Sequence, residues 1–185
     1  CSPGSLDPQE FVNDPIAGTV LSITEGAGVY IPNIRDFVPS LADTEYTVRI
    51  VVRISSNQLS GFRRLFNFNH GEDRGLYLNG NRFYLWQGYA HMNTGGGDGD
   101  GSPEYPADSW HSITATTRPN GPFHVYLDGA SKTTWSEQPS WLAESSISSD
   151  ELLFFNDNSP QECSVGGTNE QMELLLKSIT VYDVK

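Results

Sequence analysis

The sequence is poor in cysteine and lacks any long apolar run. Its two cysteines, Cys1 and Cys163, allow one disulfide, a bond that persists in exported proteins. A leading cysteine also suits the lipid-bearing end of a processed bacterial lipoprotein or a remnant of cloning, and the sequence leaves these alternatives open. No stretch of about 18 apolar residues is present to form a transmembrane helix, and no signal-peptide pattern stands at the start.

Basic residues are also scarce. Lysine and arginine together number 11 against 23 aspartates and glutamates, which gives a formal net charge of −12 and an isoelectric point near 4.5. Such a chain repels the phosphates of nucleic acid and of an anionic membrane surface, so we expect no nucleic-acid partner and no membrane insertion. The acidity either serves solubility or supplies carboxylates for a hard cation such as Ca²⁺.

Helical periodicity is missing, and alternation takes its place. In "EYTVRIVVRIS", Glu45–Ser55, the apolar residues at the even positions 46 to 54 share one face, and both arginines lie on the other. About a dozen short strands, separated by many glycines and prolines, predict an all-β sandwich of two antiparallel sheets. We expect one domain over residues 1–185, in which residues 1–18 form an N-terminal arm.

Further apolar runs mark the other strands. They are Thr19–Ile23, Gly28–Asn33, Phe62–Asn69, Gly75–Asn79, Arg82–Tyr89, two runs within Trp110–Gly129, Glu151–Asn158 and Met172–Val184. The "NGN" at residues 79–81 predicts a tight hairpin, because Asn and Gly tolerate positive φ. Residues 91–108 show no periodicity and are predicted to form a long surface loop. The one weak helical candidate is Trp141–Ile147.

The segment "DSWHSITATTRPNGPFHVYLDG", Asp108–Gly129, joins a Trp-His pair, a polar hinge and a Tyr-x-Asp-Gly ending. It resembles the central hairpin of laminin-G-like domains in the concanavalin A-like lectin/glucanase superfamily. "GVYIPN", "EYTVRIVVRIS" and "LLFFNDN…SVGG…LLLKSITVYD" resemble further strands of these domains in the same order, over residues 19–184. The resemblance implies a concanavalin A-like jelly-roll β-sandwich, in which Trp110, Tyr126 and Asp128 keep the fold.

No pattern typical of catalysis is present, although that superfamily includes glycoside hydrolases. Retaining hydrolysis needs two carboxyl groups about 5 Å apart, and enzymes of this kind carry a Glu-x-Asp-x-x-Glu-like strand that this sequence lacks. A Gly-x-Ser-x-Gly elbow, a paired-histidine zinc motif and a phosphate-binding glycine loop are also missing. We therefore predict that the chain is not an enzyme and has no catalytic residues.

The strand in "RFYLWQGYAHMN" combines aromatic and polar side chains. Alternation places Arg82, Tyr84 and Trp86 on one face of it. Flat rings stack on the C–H surfaces of sugars, while polar groups bond the hydroxyls. We predict glycan-binding residues at Arg82, Tyr84, Trp86 and Tyr89. The alternative is that Tyr84 and Trp86 belong to the core.

Two acidic loops are candidates for calcium, which takes roughly six to eight oxygen ligands. The loop "NTGGGDGDGSPE" alternates aspartate with glycine, and its alternative role is a mobile, solvated loop. The loop "NDNSPQEC" follows an apolar strand and resembles an Asp-Asp…Glu-x-x-x-Gly stretch of one bacterial branch of the laminin-G-like group. The candidate ligands are Asp98 and Asp100 in the first loop and Asp157, Asn158 and Glu162 in the second.

These patterns favour a non-catalytic, secreted or cell-surface binding module for glycan, with calcium as a candidate cofactor. Two alternatives remain. Laminin-G-like domains also bind proteins, which makes a protein–protein adhesion module the second hypothesis. A diverged glycoside hydrolase or polysaccharide lyase is the third, because cross-strand pairing brings together carboxylates that are distant in sequence.

Overall fold

The computed structural model describes residues 10–24, 27–39, 45–67, 75–86, 97–98, 104–118, 121–135, 151–155 and 172–183. This part of the chain contains thirteen strands, one four-residue helix and a 3-10 turn at Ser56–Gln58. The strands and helix are β1 (Glu10–Asp14), β2 (Gly18–Ile23), β3 (Val29–Pro32), α1 (Ile34–Phe37), β4 (Tyr46–Ile54), β5 (Phe62–Asn67), β6 (Gly75–Asn79), β7 (Arg82–Trp86), β8 (Gly97–Asp98), β9 (Trp110–Thr117), β10 (Phe123–Leu127), β11 (Ala130–Trp135), β12 (Glu151–Phe154) and β13 (Leu174–Asp183). No helix among these residues is long and apolar enough to cross a membrane.

The strands form two antiparallel sheets. The seven-stranded sheet has the order β1-β2-β13-β4-β9-β10-β11, and the six-stranded sheet has the order β3-β12-β5-β6-β7-β8. One hydrophobic core joins them, with side chains from β4, β9 and β10 on one side and from β5, β6, β7 and β12 on the other. The predicted all-β jelly-roll sandwich is confirmed.

Strand β4 shows how the sequence specifies this architecture. Its five side chains at the even positions 46 to 54 are at most 1% exposed and lie in the core, whereas Arg49 is exposed on the opposite face. Successive residues of a strand point to opposite faces, so an alternating sequence buries one whole face. Each such apolar side chain contributes about 1.5–3 kcal/mol when it leaves water.

The predicted hairpin within Trp110–Gly129 is present. Strand β9 pairs antiparallel with β10, and β10 continues into β11 through a two-residue turn at Asp128 and Gly129. Both turn residues have positive φ, 52° and 78°, which is the geometry of a type I′ turn. Val125 and Leu127 face the core and Tyr126 faces away, as the alternation predicts.

Two sequence-based expectations need correction. Part of the N-terminal arm expected over residues 1–18 is strand β1, which pairs with β2 as the edge of the seven-stranded sheet. The surface loop expected over residues 91–108 contains strand β8, and its Tyr105 is only 2% exposed within the core. An isolated aromatic residue can be buried without any periodicity, because the packing of other elements around it makes the pocket. The helical candidate Trp141–Ile147 lies outside the described residues.

Candidate functional site

Strand β7 separates a core face from an outer face. Phe83 and Leu85 are fully buried in the core, whereas Arg82 is exposed and Tyr84 is half-buried on the opposite face. The backbone of Trp86 occupies the next outer position of the strand and pairs with Gly75. Of the two alternatives for Tyr84, the structure places this residue outside the core.

Neighbouring strands extend this surface with residues that the sequence analysis missed. The ring of Phe62 meets that of Tyr84 edge-on at 5.0 Å between centroids, and that of Tyr77 at 6.1 Å. The guanidinium of Arg64 donates a hydrogen bond to the Tyr77 hydroxyl and lies 5.2 Å from the centre of its ring. We name the outer positions of β5, β6 and β7 the aromatic face: Phe62, Arg64, Tyr77, Arg82, Tyr84 and Trp86.

The aromatic face combines buried and more accessible side chains. Tyr77 and Arg64 are 1% and 3% exposed, whereas Phe62 and Tyr84 are half-buried and Arg82 is exposed. Phe62 contacts the rings of both Tyr77 and Tyr84, so these rings support one another before any ligand arrives, which lowers the entropy cost of binding. Alternation in "GLYLN" was the signal that could have identified Tyr77, whereas the register shift between Arg64 and Phe66 interrupts alternation in "FRRLFN".

Of the five predicted metal ligands, one lies within a described strand. Asp98 lies in β8, where its Cα is paired with that of Tyr84, beside the aromatic face. The other candidates, and the predicted sugar ligand Tyr89, lie outside the described residues: Asp100, Asp157, Asn158 and Glu162. Among the residues with a described position, no group of three or more histidines, cysteines, aspartates or glutamates is arranged to hold a metal.

The buried carboxylate of Asp14 joins three elements on the outer side of the seven-stranded sheet. Its Oδ1 accepts hydrogen bonds from the backbone N–H groups of Ile16 and Ala17, at 2.9 and 2.8 Å, and from the indole Nε1 of Trp110 at 3.1 Å. Its Oδ2 accepts a bond from Arg53 at 3.3 Å. The hydrogen bond from the Ala17 N–H has the largest effect on the pKa of Asp14 and lowers it. The other donors lower this pKa further, and together they outweigh burial, which raises it. Through its hydrogen bond to Asp14, the indole of Trp110, a residue expected to keep the fold, joins β9 to the end of β1.

A second hydrogen-bonded chain, also missed from the sequence, joins Ser109, His111 and Asp128. The Ser109 Oγ lies 2.7 Å from His111 Nε2, and His111 Nδ1 lies 2.6 Å from Asp128 Oδ2. The other Asp128 oxygen accepts the backbone N–H of Ser112 at 2.9 Å. Burial opposes ionisation of Asp128, but the bonds from His111 and Ser112 outweigh it and lower its pKa.

The order Ser–His–Asp is that of a nucleophilic triad, in which serine attacks, histidine accepts its proton and aspartate orients the histidine. In such triads the aspartate is buried behind the histidine, whereas the Asp128 side chain is 52% exposed in the turn between β10 and β11. The Ser109 Oγ also donates to the Ala107 carbonyl at 3.3 Å. The hydrogen bonds from Ser109 through His111 to Asp128 therefore connect the start of β9 to that turn. This is a fold-keeping role of the kind expected for Asp128.

No protein-family model matches the chain, and no curated protein matches its sequence. Solved structures do match it in fold. Domain 4 of AbnA, a GH43 extracellular arabinanase from Geobacillus stearothermophilus, solved in complex with arabinotriose, is similar with a TM-score of 0.65 at 15% identity, over 95% of this chain and 75% of that one.

Botulinum neurotoxin binding domains have the same fold. The binding domain of the DC toxin, solved with rat synaptotagmin II, gives a TM-score of 0.61 at 13% identity, over 94% of this chain and 41% of that one. A structure of the type C toxin, whose cell entry depends on interaction with two ganglioside molecules, gives a TM-score of 0.58 at 12% identity, again over 94% of this chain and 41% of that one. At these identities the likeness shows the fold alone: the chain is a jelly-roll β-sandwich.

Proposed function

We propose that this chain is a non-catalytic, extracellular carbohydrate-binding module of the laminin-G-like type, and that its aromatic face holds the sugar. The observation that carries the proposal is the placement of Arg82 and Tyr84 on β7, away from the core and beside the ring of Phe62.

The chemistry of this face suits a sugar. Half-buried rings offer flat apolar area to the C–H surface of a pyranose or furanose, and the exposed Arg82 offers several N–H donors to hydroxyl oxygens. Glu104, which forms an isolated backbone bridge with Arg82, is exposed and provides an acceptor at the edge of the same surface. Arabinotriose, bound to the similar arabinanase domain, and the two ganglioside molecules on which cell entry of the type C toxin depends support a saccharide without identifying one.

Calcium dependence is a further part of the proposal. Its support is the oxygen-rich composition of the two acidic loops and the position of Asp98, whose strand lies beside Tyr84 on β7. A calcium ion held at Asp98 and Asp100 would sit at the rim of the aromatic face, where a bound sugar could complete its coordination. An ion held at Asp157, Asn158 and Glu162 would instead stabilise the loop that follows β12.

The decisive test is sugar binding by face variants. A glycan array probed with the whole chain should give signals that Trp86→Ala and Arg82→Ala each weaken about tenfold, because each removes a stacking or hydrogen-bonding group. Arg82 is exposed, so its replacement leaves the core intact. Tyr182→Ala is the matched control, since this tyrosine is 45% exposed on the other sheet.

Several outcomes contradict the proposal. One is the absence of any signal on a broad array. Another is a loss of array signal in the Tyr182→Ala control equal to that in the face variants, when circular dichroism shows that all variants are folded. New reducing ends on a polysaccharide panel would instead support the glycosidase or lyase alternative, and hydrolysis of a chromogenic ester that Ser109→Ala abolishes would assign catalysis to the Ser109–His111–Asp128 chain.

A protein–protein adhesion module is the second candidate function. The specific observation in its favour is three large apolar side chains in water: Phe11, Ile16 and Phe37 are 72%, 80% and 73% exposed. Phe11 and Ile16 belong to the same hairpin of β1 and β2, at the edge of the seven-stranded sheet, and contiguous exposed apolar patches mark protein contacts. Pull-down of a protein partner that Phe11→Ser abolishes and Trp86→Ala leaves unchanged would favour this candidate over sugar binding.

A further inference from the structure

A separate cleft of about 330 Å³, with polar and apolar walls, lies on the seven-stranded sheet, on the other side of the sandwich from the aromatic face. It forms where β2 and β4 end and β13 begins. Its lining comes from the end of β2, the end of β4 and the start of β13 with the residue before it: Ser22, Ile23, Thr24, Arg53, Ser55, Glu173, Leu174 and Leu175.

Strand register explains why these residues meet. Ser22 pairs with Leu175, and Leu175 pairs with Arg53, so the three side chains form one row across β2, β13 and β4. Their neighbours Ile23 and Leu174 point the other way and are 1% and 5% exposed in the core. The row therefore lies on the outer face, and the core residues beneath it provide a rigid floor.

Arg53 is the group that gives the cleft its chemistry. Its side chain is 37% exposed, and its hydrogen bond to Asp14 uses one N–H of the guanidinium, while the other donors remain available within the described part of the chain. Asp14 is itself fixed by Ile16, Ala17 and Trp110, so Arg53 is oriented before a ligand arrives.

The opposite wall is also held in place. The backbone N–H of Glu173 donates to the Gln58 side-chain oxygen at 3.2 Å, which connects the segment before β13 to the 3-10 turn after β4. The Glu173 side chain is exposed and faces the cleft as an acceptor. The cleft thus combines guanidinium donors, a carboxylate acceptor and hydroxyl groups that both donate and accept.

The local charges select the class of ligand. The positive charge of Arg53 is matched by the buried negative charge of Asp14, and Glu173 adds another negative charge in a chain of net −12. An anion would be repelled by this field, and one exposed carboxylate is too few for a tightly bound cation. A neutral ligand with several hydroxyl groups matches the donors and acceptors on both walls.

We propose that this cleft is a second saccharide site, which takes one or two neutral sugar rings independently of the aromatic face. Its volume is at the lower end of the range of small-ligand pockets, about 300–1,000 Å³. Two sites on opposite sheets would let one domain bridge two glycan chains, and each weak contact would then strengthen the other through multivalency.

The test is a nuclear magnetic resonance titration of the whole chain with neutral pentoses and hexoses, and with uronic acids as anionic counterparts. A neutral sugar should shift the Arg53 Nε–H signal and the amide signals of Ser55 and Leu175. Arg53→Lys keeps the charge opposite Asp14 but loses the guanidinium fork, so it should weaken the titrated affinity about tenfold. Arg49→Lys, an exposed position on the outer face of β4, is the matched control.

Two further variants keep the test decisive if Arg53→Lys fails to fold. Thr24→Val and Glu173→Gln lie at exposed positions, and each should weaken the neutral sugar without changing the circular-dichroism spectrum. Shifts from uronic acids alone, or no shift from any sugar in the panel, would overturn the proposal. Trp86→Ala should leave these shifts unchanged, so failure of the cleft and failure of the aromatic face give different results.

Discussion

At the scale of single residues, Asp14 shows how one carboxylate can organise distant parts of a sandwich. Strands β2, β13 and β4 stand between β1 and β9 in the sheet, yet Asp14 of β1 contacts Trp110 of β9. The turn after Asp14 must therefore reach over the outer side of the sheet. Because the carboxylate accepts every donor of this junction in its ionised form, the junction depends on its charge.

Acid should weaken this junction, and Asp14→Asn should reveal by how much. The pKa of Asp14 is lowered in the folded chain from its usual 3.8, so its contribution to stability is present above pH 3.8 and is lost as the pH falls through the lower folded value. We expect the melting temperature of Asp14→Asn to be lower at neutral pH and to depend less on pH below 4 than that of the unmodified chain.

The control for this prediction is Asp36→Asn in α1, which replaces an exposed carboxylate. It should leave the pH dependence close to that of the unmodified chain. The melting temperatures of both variants are measured by circular dichroism from about pH 2.5 to about pH 7, an interval that brackets the ordinary pKa of aspartate. Identical acid profiles for the unmodified chain and Asp14→Asn would show that the junction carries no charge-dependent stability. Asp128 has a lowered pKa as well, so some acid sensitivity should remain in Asp14→Asn.

At the scale of elements, the aromatic face depends on close packing between β5 and β6. The register of these strands shifts between Arg64 and Phe66, which indicates a β-bulge at that point. Gly75 at the start of β6 faces this bulge, and a Cβ atom there would clash with the carbonyl oxygen of Phe66. The close approach of the two backbones therefore requires glycine at position 75. Gly75 is also the residue of β6 that pairs with Trp86 of β7.

Gly75→Ala should accordingly destabilise the chain by about 1–3 kcal/mol, the usual cost of forcing extra atoms into a packed site. The obstacle is backbone, which can move only by disturbing the pairing of β5 with β6. Urea unfolding followed by tryptophan fluorescence measures the change. In Gly121→Ala the nearest obstacle is the flexible side chain of Arg118, so we expect a smaller loss; an equal loss would contradict the packing explanation.

At the scale of the whole molecule, the acidity of the chain bears on its proposed cofactor. A net charge of −12 concentrates cations around the protein at low salt, but a specific calcium site adds stability even when that atmosphere is screened. Calcium dependence is therefore best measured at physiological ionic strength, where general charge effects are smaller than at low salt.

Under those conditions calcium should raise the melting temperature, and a chelator should reverse the rise. A ligand at a hundred times its dissociation constant stabilises the folded state by about 2.7 kcal/mol. Asp157→Ala should remove most of the calcium-dependent rise in melting temperature if the loop after β12 holds the ion. Asp98→Ala should remove most of it if the loop beside β7 holds the ion. Asp36→Ala is the control, and a melting temperature that calcium and chelator leave unmoved would rule out both loops.

The sequence by itself determined the elements and their inner faces. Alternation within β4 and β7 identified which side chains enter the core, and "NGN" marked a turn with positive φ at Gly80. These features are readable because each depends only on residues a few positions apart: side-chain direction repeats every two residues, and backbone sterics act on single residues. The polar-aromatic side of β7 followed from the same periodicity.

Only the tertiary structure decided what lies beside those faces. The contact between Asp14 and Trp110 joins residues 96 positions apart, and the Ser109–His111–Asp128 chain and the cleft at Arg53 also depend on strands paired across the sheet. Sheet order and register come from the simultaneous burial of all strands, so many arrangements of the same local patterns compete until the core is assembled. The burial of Tyr105 in a segment without periodicity has the same cause, because its pocket is built entirely by other parts of the chain.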